Sequence, residues 1–178
     1  MCIVFPVAIN KIGGMANAII LFEEKITYLF SSNISSLPGQ INAYRPISFF
    51  VRLSQPTTLN KESIVKFDEV SINEGNHFNS GDGIFVAPVS GIYQFSWTTL
   101  TTSSKLVETE LRVDNIVKET LHTALSSSGN ISGSKVVLCK VGKGDHVWIQ
   151  TSHVYATNYF LVANAARSSF TGMLIHEL

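Results

Sequence analysis

The fold class of this chain is decided by residues 83–98, which read GIFVAPVSGIYQFSWT. The first apolar run ends at Pro88, a residue that cannot donate a hydrogen bond to a neighbouring strand. After a short turn, the aromatic side chains Tyr93, Phe95 and Trp97 alternate with polar ones. A repeat of two residues is the period of a β-strand, so this stretch predicts two strands, of which the second has one buried aromatic face.

The chain after Pro46 repeats this pattern of short strands and turns. Strands are predicted at residues 47–53, 64–70, 83–87, 92–101, 107–113, 116–124, 134–141, 146–152 and 168–176. Turn signals such as Asp114-Asn115 and the segment 142–145 separate them, and no helical period is found in this part of the sequence. Short strands at such regular spacing predict an all-β sandwich of two sheets.

The composition limits the kinds of partner that this chain is predicted to have. The chain has 178 residues, of which 45% are hydrophobic, enough for one domain with a sizeable core and a short extension. Its 13 Lys and Arg balance 13 Asp and Glu. A nucleic-acid or anionic-membrane partner would require a basic surplus or stripe, so neither partner is predicted. Charged residues interrupt every apolar stretch before it is long enough to span a bilayer, so no membrane span is predicted.

Three ordered blocks of residues carry a family resemblance. The first consists of Phe67, Asn73, Phe78, Phe85, Gly91, Tyr93 and Phe95 at those intervals. The later blocks are Gly144-Asp145 with Val147-Trp148, and Ser169 to Leu174. Together they resemble the complement C1q-like globular domain, which shares its fold with the tumour necrosis factor ligands. The resemblance implies a jelly-roll β-sandwich of about ten antiparallel strands over residues 47–178.

Residues 1–46 are predicted to form an N-terminal extension with two alternative interpretations. Ala16-Asn17-Ala18 could be the cleavage site of a leader peptide. Alternatively, a short helix that forms a coiled coil is indicated by apolar residues at alternating three- and four-residue steps. These are Ile12, Met15, Ile19, Phe22, Ile26 and Leu29. A linker at Leu37-Pro38-Gly39-Gln40 follows in either case, and there is no Gly-X-Y repeat to form a collagen stalk.

No constellation of residues predicts catalysis, so the chain is predicted not to be an enzyme. The five histidines lack metal-ligand spacing, and no metal or other cofactor is predicted. Some relatives bind calcium, but that role is not assigned here to Asp82 or Asp145. Glu108 and Glu110 fall on one strand face and are predicted to be solvated. Cys139 is predicted to be a small buried hydrophobe, and the state of Cys2 stays open.

The segment 153–161 is the predicted ligand-binding loop because it carries three aromatic residues beside Asn and Thr. Its candidate ligand contacts are Tyr155, Asn158, Tyr159 and Phe160, which could stack on sugar rings or anchor a protein partner. The alternative is that Tyr159, Phe160 and Leu161 pack across a subunit interface. Two tripeptides match the N-glycosylation pattern, and their candidate acceptors are Asn33 and Asn130.

The resemblance implies a secreted, homotrimeric recognition domain, lectin-like and active in innate immunity, whose partners are its own copies and an extracellular glycan or protein. A cytokine-like ligand of a cell-surface receptor and a structural assembly module are the alternatives. Six apolar residues are predicted to lie in the core or on the three-fold axis of the trimer, namely Phe49, Val51, Tyr93, Phe95, Phe170 and Met173.

Overall fold

The computed structural model of the chain describes residues 46–164 and 166–178, and these residues form strands without helices. The strands are β1 (Ser48–Arg52), β2 (Thr57–Asn60), β3 (Glu69–Glu74), β4 (Phe78–Asn79), β5 (Ile84–Val86), β6 (Gly91–Thr102), β7 (Leu106–Val113), β8 (Ile116–Ala124), β9 (Asn130–Val141), β10 (His146–Thr151), β11 (Thr157–Phe160), β12 (Val162–Ala163), β13 (Ala166–Arg167) and β14 (Ser169–Glu177).

Ten of these strands form two five-stranded antiparallel sheets that pack face to face. The first sheet has the order β3-β1-β14-β6-β9, and the second has the order β4-β5-β10-β7-β8. Two further pairs, β2 with β11 and β12 with β13, lie outside these sheets. Apart from the hairpins β4-β5 and β7-β8, neighbours in the two sheets are distant in the sequence, as in a jelly roll. The predicted all-β jelly-roll sandwich of about ten strands is confirmed.

Strand β6 supplies the aromatic centre of the core. Tyr93, Phe95 and Trp97 are at most 1% exposed, as their alternation with polar residues predicts. The Trp97 indole nitrogen donates a hydrogen bond of 2.9 Å to Thr109 Oγ1 on the opposite sheet. Burial raises the pKa of the Tyr93 hydroxyl, which donates to the carbonyl oxygen of Val89 at 2.9 Å. The Trp97 and Tyr93 polar groups are therefore satisfied.

Phenylalanines from several strands surround Phe95. The Phe49 ring on β1 lies 4.9 Å from the Phe170 ring on β14 and 5.1 Å from the Phe85 ring on β5, measured between centroids. Gly172 lies beside these rings, where a Cβ atom would overlap the Phe49 ring and come within 2.9 Å of Phe95 Cδ1. Residue 172 has no room for a side chain because the aromatic cluster occupies that space.

Two strand predictions were wrong in the first half of the domain. Residues 64–70 were predicted to form a strand, but Ile64 makes only an isolated bridge with Gln150, and β3 begins at Glu69. The prediction also missed β2, which reads TTLN and pairs with β11. Its single apolar residue gives no alternation to detect, so its extended conformation depends on the partner strand.

Predictions about the N-terminal extension lie outside the described residues. They include the leader or short coiled-coil helix, the linker and Asn33, and the domain boundary after residue 46 also stays a prediction. Cys139 lies on β9 and is buried, and burial raises the pKa of its thiol. A raised thiol pKa disfavours the reactive thiolate, in agreement with an inert, small apolar residue.

Candidate functional site

The outer face of the first sheet exposes large apolar side chains. Val136 and Leu138 on β9 are 63% and 65% exposed, because they alternate with Val137 and Cys139, which face the core. Ile72 on β3 and Met173 on β14 are further exposed apolar residues of the same face. A sheet face with this many exposed apolar side chains is typical of a protein–protein interface.

Strand register brings several of these side chains into two rows. Ile72 is paired with Phe50, which is only half-buried, and the same row continues across β14 and β6 to Val136. In the next row Met173 is paired through Gln94 with Leu138. Paired residues share one face of a sheet, so these apolar side chains form a continuous surface with small polar residues at its centre.

The six predicted core or axis residues divide between the two faces of the first sheet. Phe49, Val51, Tyr93, Phe95 and Phe170 are at most 1% exposed inside the sandwich, so they cannot also contact another copy of the chain. Met173 is 37% exposed on the outer face. The three-fold-axis interpretation is therefore withdrawn for the five buried residues and kept for Met173.

The structure places two of the four predicted ligand contacts in the interior. Residues 157–160 form β11 rather than a loop, and Phe160 and Asn158 are each 0% exposed. The side-chain oxygen of Asn158 accepts a hydrogen bond from the Glu108 backbone N–H at 2.8 Å, and its amide nitrogen donates to the Tyr155 carbonyl at 3.2 Å. Asn158 and Phe160 are corrected to structural residues, because a wholly buried side chain cannot contact a ligand.

Tyr155 and Tyr159 keep part of their surface and remain candidate ligand contacts. The Tyr155 ring lies 5.5 Å from the His122 ring, and the Tyr159 ring lies 6.0 Å from the Lys105 ammonium. Both tyrosines are half-buried. Each ring is thus held by a neighbour from another strand or turn while it keeps an exposed portion.

Replacing Asn158 with alanine is expected to reduce the free energy of unfolding by about 1–3 kcal/mol, because the Glu108 N–H would lose its acceptor in a buried position. Chemical denaturation of both proteins at one protomer concentration measures the effect. The control is Thr157→Ala, which truncates an exposed neighbour on the same strand. Equal stability of the Asn158 and Thr157 variants would contradict the structural role of Asn158.

Most of the exposed apolar surface was not predicted, although the sequence of β9 contains a signal for it. In β9 the alternation that assigned Val137 and Cys139 to the core also assigned Val136 and Leu138 to solvent. Apolar residues on both faces of one strand indicate a strand that is covered twice. The acidic pair of β7 was also misjudged, because Glu110 is only 5% exposed.

The aspartates considered as calcium ligands form parts of turns. Asp82 accepts hydrogen bonds from the Ile84 N–H and the Asn79 amide, and Asp145 accepts one from the Gly142 N–H at 2.8 Å. Over residues 46–164 and 166–178 no three His, Cys, Asp or Glu side chains are grouped to hold a metal ion. The same residues contain no helix long and apolar enough to cross a bilayer.

The sheet order and the apolar outer face define the class of the protein as a jelly-roll domain of the C1q and tumour necrosis factor type. Residues 48–175 match the family model of the C1q domain. This chain belongs to the C1q domain family. It is therefore a C1q-type binding domain, and the family is one of ligand-binding and assembly proteins rather than enzymes.

Relatives with similar sequences come from vertebrates and a mussel. Complement C1q tumor necrosis factor-related protein 2 of Mus musculus is 33% identical over 115 residues, which are 63% of this chain and 37% of the relative. Heavy metal-binding protein HIP of Mytilus edulis is 30% identical over 133 residues, which are 73% of this chain and 61% of the relative. The chain therefore spans between 37% and 61% of the length of these two relatives.

Solved structures support the same fold. The globular domain of zebrafish complement 1qA protein superposes with a TM-score of 0.62 at 18% identity, covering 75% of this chain and 99% of that domain. The Eiger tumour necrosis factor of S. frugiperda gives 0.61 at 9% identity, covering 75% of this chain and 95% of that one. At these identities the likeness shows the fold alone.

Proposed function

We propose that this chain is an extracellular recognition domain that works as a homotrimer, assembled through the outer face of its first sheet. The observation that carries the proposal is the apolar surface of β3, β14 and β9, which the fold of one chain leaves uncovered. Apolar residues of this size are stabilised by burial against a partner of matching chemistry, and a second copy of the chain supplies one.

The arrangement of that surface favours a ring over a two-fold dimer. Ile72 lies on β3 at one edge of the first sheet, and Val136 and Leu138 lie on β9 at the opposite edge. When the β9 side of one copy contacts the β3 side of the next, the interface is head-to-tail, and such an interface forms a closed ring when the rotation between copies closes. A three-membered ring would place Met173, which lies between the two edges, near its axis.

Sedimentation at micromolar concentration is expected to give a particle of three times the 19.5 kDa mass of one chain. Leu138→Glu should weaken assembly by about 100-fold or more, because it places an unpaired charge in an apolar interface. Its circular dichroism should stay unchanged, because the residue is 65% exposed in the single chain. High salt should leave the wild-type assembly intact, since the contact is apolar.

The matched control is Ile116→Glu, which changes a similarly exposed apolar residue, 61% exposed, on the hairpin of the second sheet. It should assemble like the wild type. A wild-type chain that sediments as a monomer, or a Leu138→Glu variant that remains a trimer, would refute assembly through this face.

The proposed ligand is an extracellular glycan or protein, and the proposed setting is lectin-like recognition in innate immunity. Support comes from membership in the C1q domain family and from half-buried tyrosines outside the proposed interface. The mussel relative is named for heavy-metal binding, but a metal function is not extended to this chain, because the described residues group no metal ligands. Likeness to tumour necrosis factors concerns the fold alone, so a cytokine-like role has no further support.

Secretion is part of the proposal and is compatible with the position of Asn130. This residue begins β9 and is exposed, so an attached glycan would extend into solvent without disturbing the core. Its backbone pairs with Thr102 at the far end of β6, away from the Val136 and Leu138 rows. A glycan at this position would thus leave the proposed trimer contact free.

A further inference from the structure

Two polar side chains on the outer face of the second sheet are buried although they do not face the core. Glu110 on β7 and Gln150 on β10 are paired across the sheet and are 5% and 8% exposed. Both alternate with residues that face the sandwich interior, namely Thr109 and Leu111 on β7 and Ile149 and Thr151 on β10. Polar residues on an outward face are normally solvated. Because these two are so little exposed, most of their surface must be covered by neighbouring side chains.

Neighbouring side chains hold Glu110 and Gln150 in two adjacent groups of polar contacts. Arg112 Nε donates to Glu110 Oε2 at 3.1 Å, and His153 Nδ1 lies 3.7 Å from Glu110 Oε1. The Trp148 indole nitrogen donates to Gln150 Oε1 at 3.0 Å, which fixes the plane of the half-buried ring. Register places Trp148 opposite Arg112, so the five residues form one surface, here called the Trp148 patch.

Glu110 and Gln150 each keep hydrogen-bonding capacity that no described residue fully uses. The Gln150 amide nitrogen makes no hydrogen bond within the part of the chain that the structure describes, and it reaches the solvent, because it is not among the fully buried side-chain atoms there that lack a partner. Glu110 Oε1 has only the exposed His153 beside it. An unused donor and an unused acceptor therefore lie on facing strands and are held in place by the bonds that their other atoms make.

Fold stability does not account for this arrangement. Burying a carboxylate and an amide costs free energy that apolar side chains of similar volume would not cost. Polar groups that hydrogen bonds hold in place are pre-organised, as a recognition site requires. The patch lies on the second sheet, so assembly through the outer face of the first sheet leaves it accessible.

We propose that the Trp148 patch binds a neutral saccharide, an inference that rests on the proposed recognition function and assigns a site to it. Each sugar hydroxyl both donates and accepts, which matches the free acceptor of Glu110 and the free donor of Gln150. The Trp148 ring offers an apolar surface for the C–H face of a pyranose. The negative charge of Glu110 is balanced by the positive charge of Arg112. A site without net charge favours a neutral ligand over an ionic one.

A second group extends the site along the same face. Glu108, two residues before Glu110 on β7, accepts from His122 at 2.9 Å, and the Tyr155 ring lies 5.5 Å from the His122 ring. This places the exposed part of Tyr155 beside a second carboxylate–imidazole pair. A linear oligosaccharide could therefore contact the Trp148 patch with one sugar ring and Tyr155 with another.

Intrinsic fluorescence provides a direct readout of the patch. The chain has two tryptophans, and Trp97 is 1% exposed inside the core, so a ligand-dependent change reports on Trp148. The probes are soluble oligosaccharides of mannan, β-1,3-glucan and chitin. At least one is expected to give a saturable change in emission and to protect Trp148 from quenching by acrylamide.

Two near-isosteric variants test the assignment. Gln150→Met removes the free donor and Glu110→Gln replaces the carboxylate, and each is expected to weaken binding of that oligosaccharide about tenfold or more. Gln55→Met, the same chemical change at an exposed position between β1 and β2, should bind like the wild type. Circular dichroism and sedimentation of every variant confirm that fold and assembly are retained.

The possible outcomes separate this proposal from the proposed function. No saturable response to any of the three oligosaccharides overturns the ligand class, while a trimer in sedimentation leaves the assembly proposal standing. Wild-type affinity in both Gln150→Met and Glu110→Gln overturns the site. If only Tyr159→Ala loses binding, the ligand binds at β11 and not at Trp148.

Discussion

Replacing Phe95 with alanine is expected to lower the free energy of unfolding by about 3–5 kcal/mol, because the ring is wholly buried and its removal leaves a cavity. The ring is in contact range of several others, with centroids 6.0 Å from Tyr93, 6.0 Å from Phe170 and 6.1 Å from Phe85. A loss of this size is a large share of the roughly 5–15 kcal/mol that stabilises a typical domain. The variant should therefore unfold or aggregate at moderate temperature.

Chemical denaturation at a fixed protomer concentration measures this effect, because assembly adds a concentration-dependent contribution to stability. Ile116→Ala is the control, since it truncates an apolar residue that is 61% exposed and should change stability by about 0.5 kcal/mol or less. Similar losses in Phe95→Ala and Ile116→Ala would show that the aromatic face of β6 is not the centre of the core.

Replacing Gly172 with alanine is expected to cost about 1–3 kcal/mol, because the added methyl group overlaps the Phe49 ring. The cause is steric and does not involve the backbone, since Gly172 is not among the glycines with positive φ. A smaller residue at position 49 should relieve the overlap. Gly172→Ala combined with Phe49→Leu is therefore expected to be more stable than the sum of the two single losses predicts.

The double-variant comparison tests the packing directly. Strictly additive losses would show that residues 49 and 172 do not share the space that the structure assigns to them. A Gly172→Ala variant as stable as the wild type would equally contradict this close approach between β14 and β1, which pair Gly172 with Phe49.

The two sheets have different outer faces, and this difference organises the proposed function. In the proposed assembly the first sheet presents apolar residues such as Leu138 and Met173 to a neighbouring copy, while the second sheet carries the polar residues around Trp148. Aromatic residues between the sheets hold both faces in position. A rigid sandwich can in this way assemble through one face and bind ligand with the other.

The jelly-roll class could be predicted from the sequence because its evidence is local. Alternation along β6 and β14 and the turn residues between strands depend on neighbouring positions, and the family resemblance uses the same residues. Weakly patterned strands escaped prediction. Strand β2 has no alternation of apolar and polar residues. Strand β11 was predicted to be a loop because its sequence does not indicate that Asn158 and Phe160 are both buried.

By itself the sequence determined that this chain folds as an all-β C1q-type domain with one buried aromatic face formed by Tyr93, Phe95 and Trp97. Only the tertiary structure decided that Met173 faces outward, that Asn158 and Phe160 are interior, and that Glu110 lies buried beside Gln150. The physical reason is that burial depends on pairing between strands far apart in the chain. Alternation assigns a residue to one of two faces, and sheet order determines what covers that face.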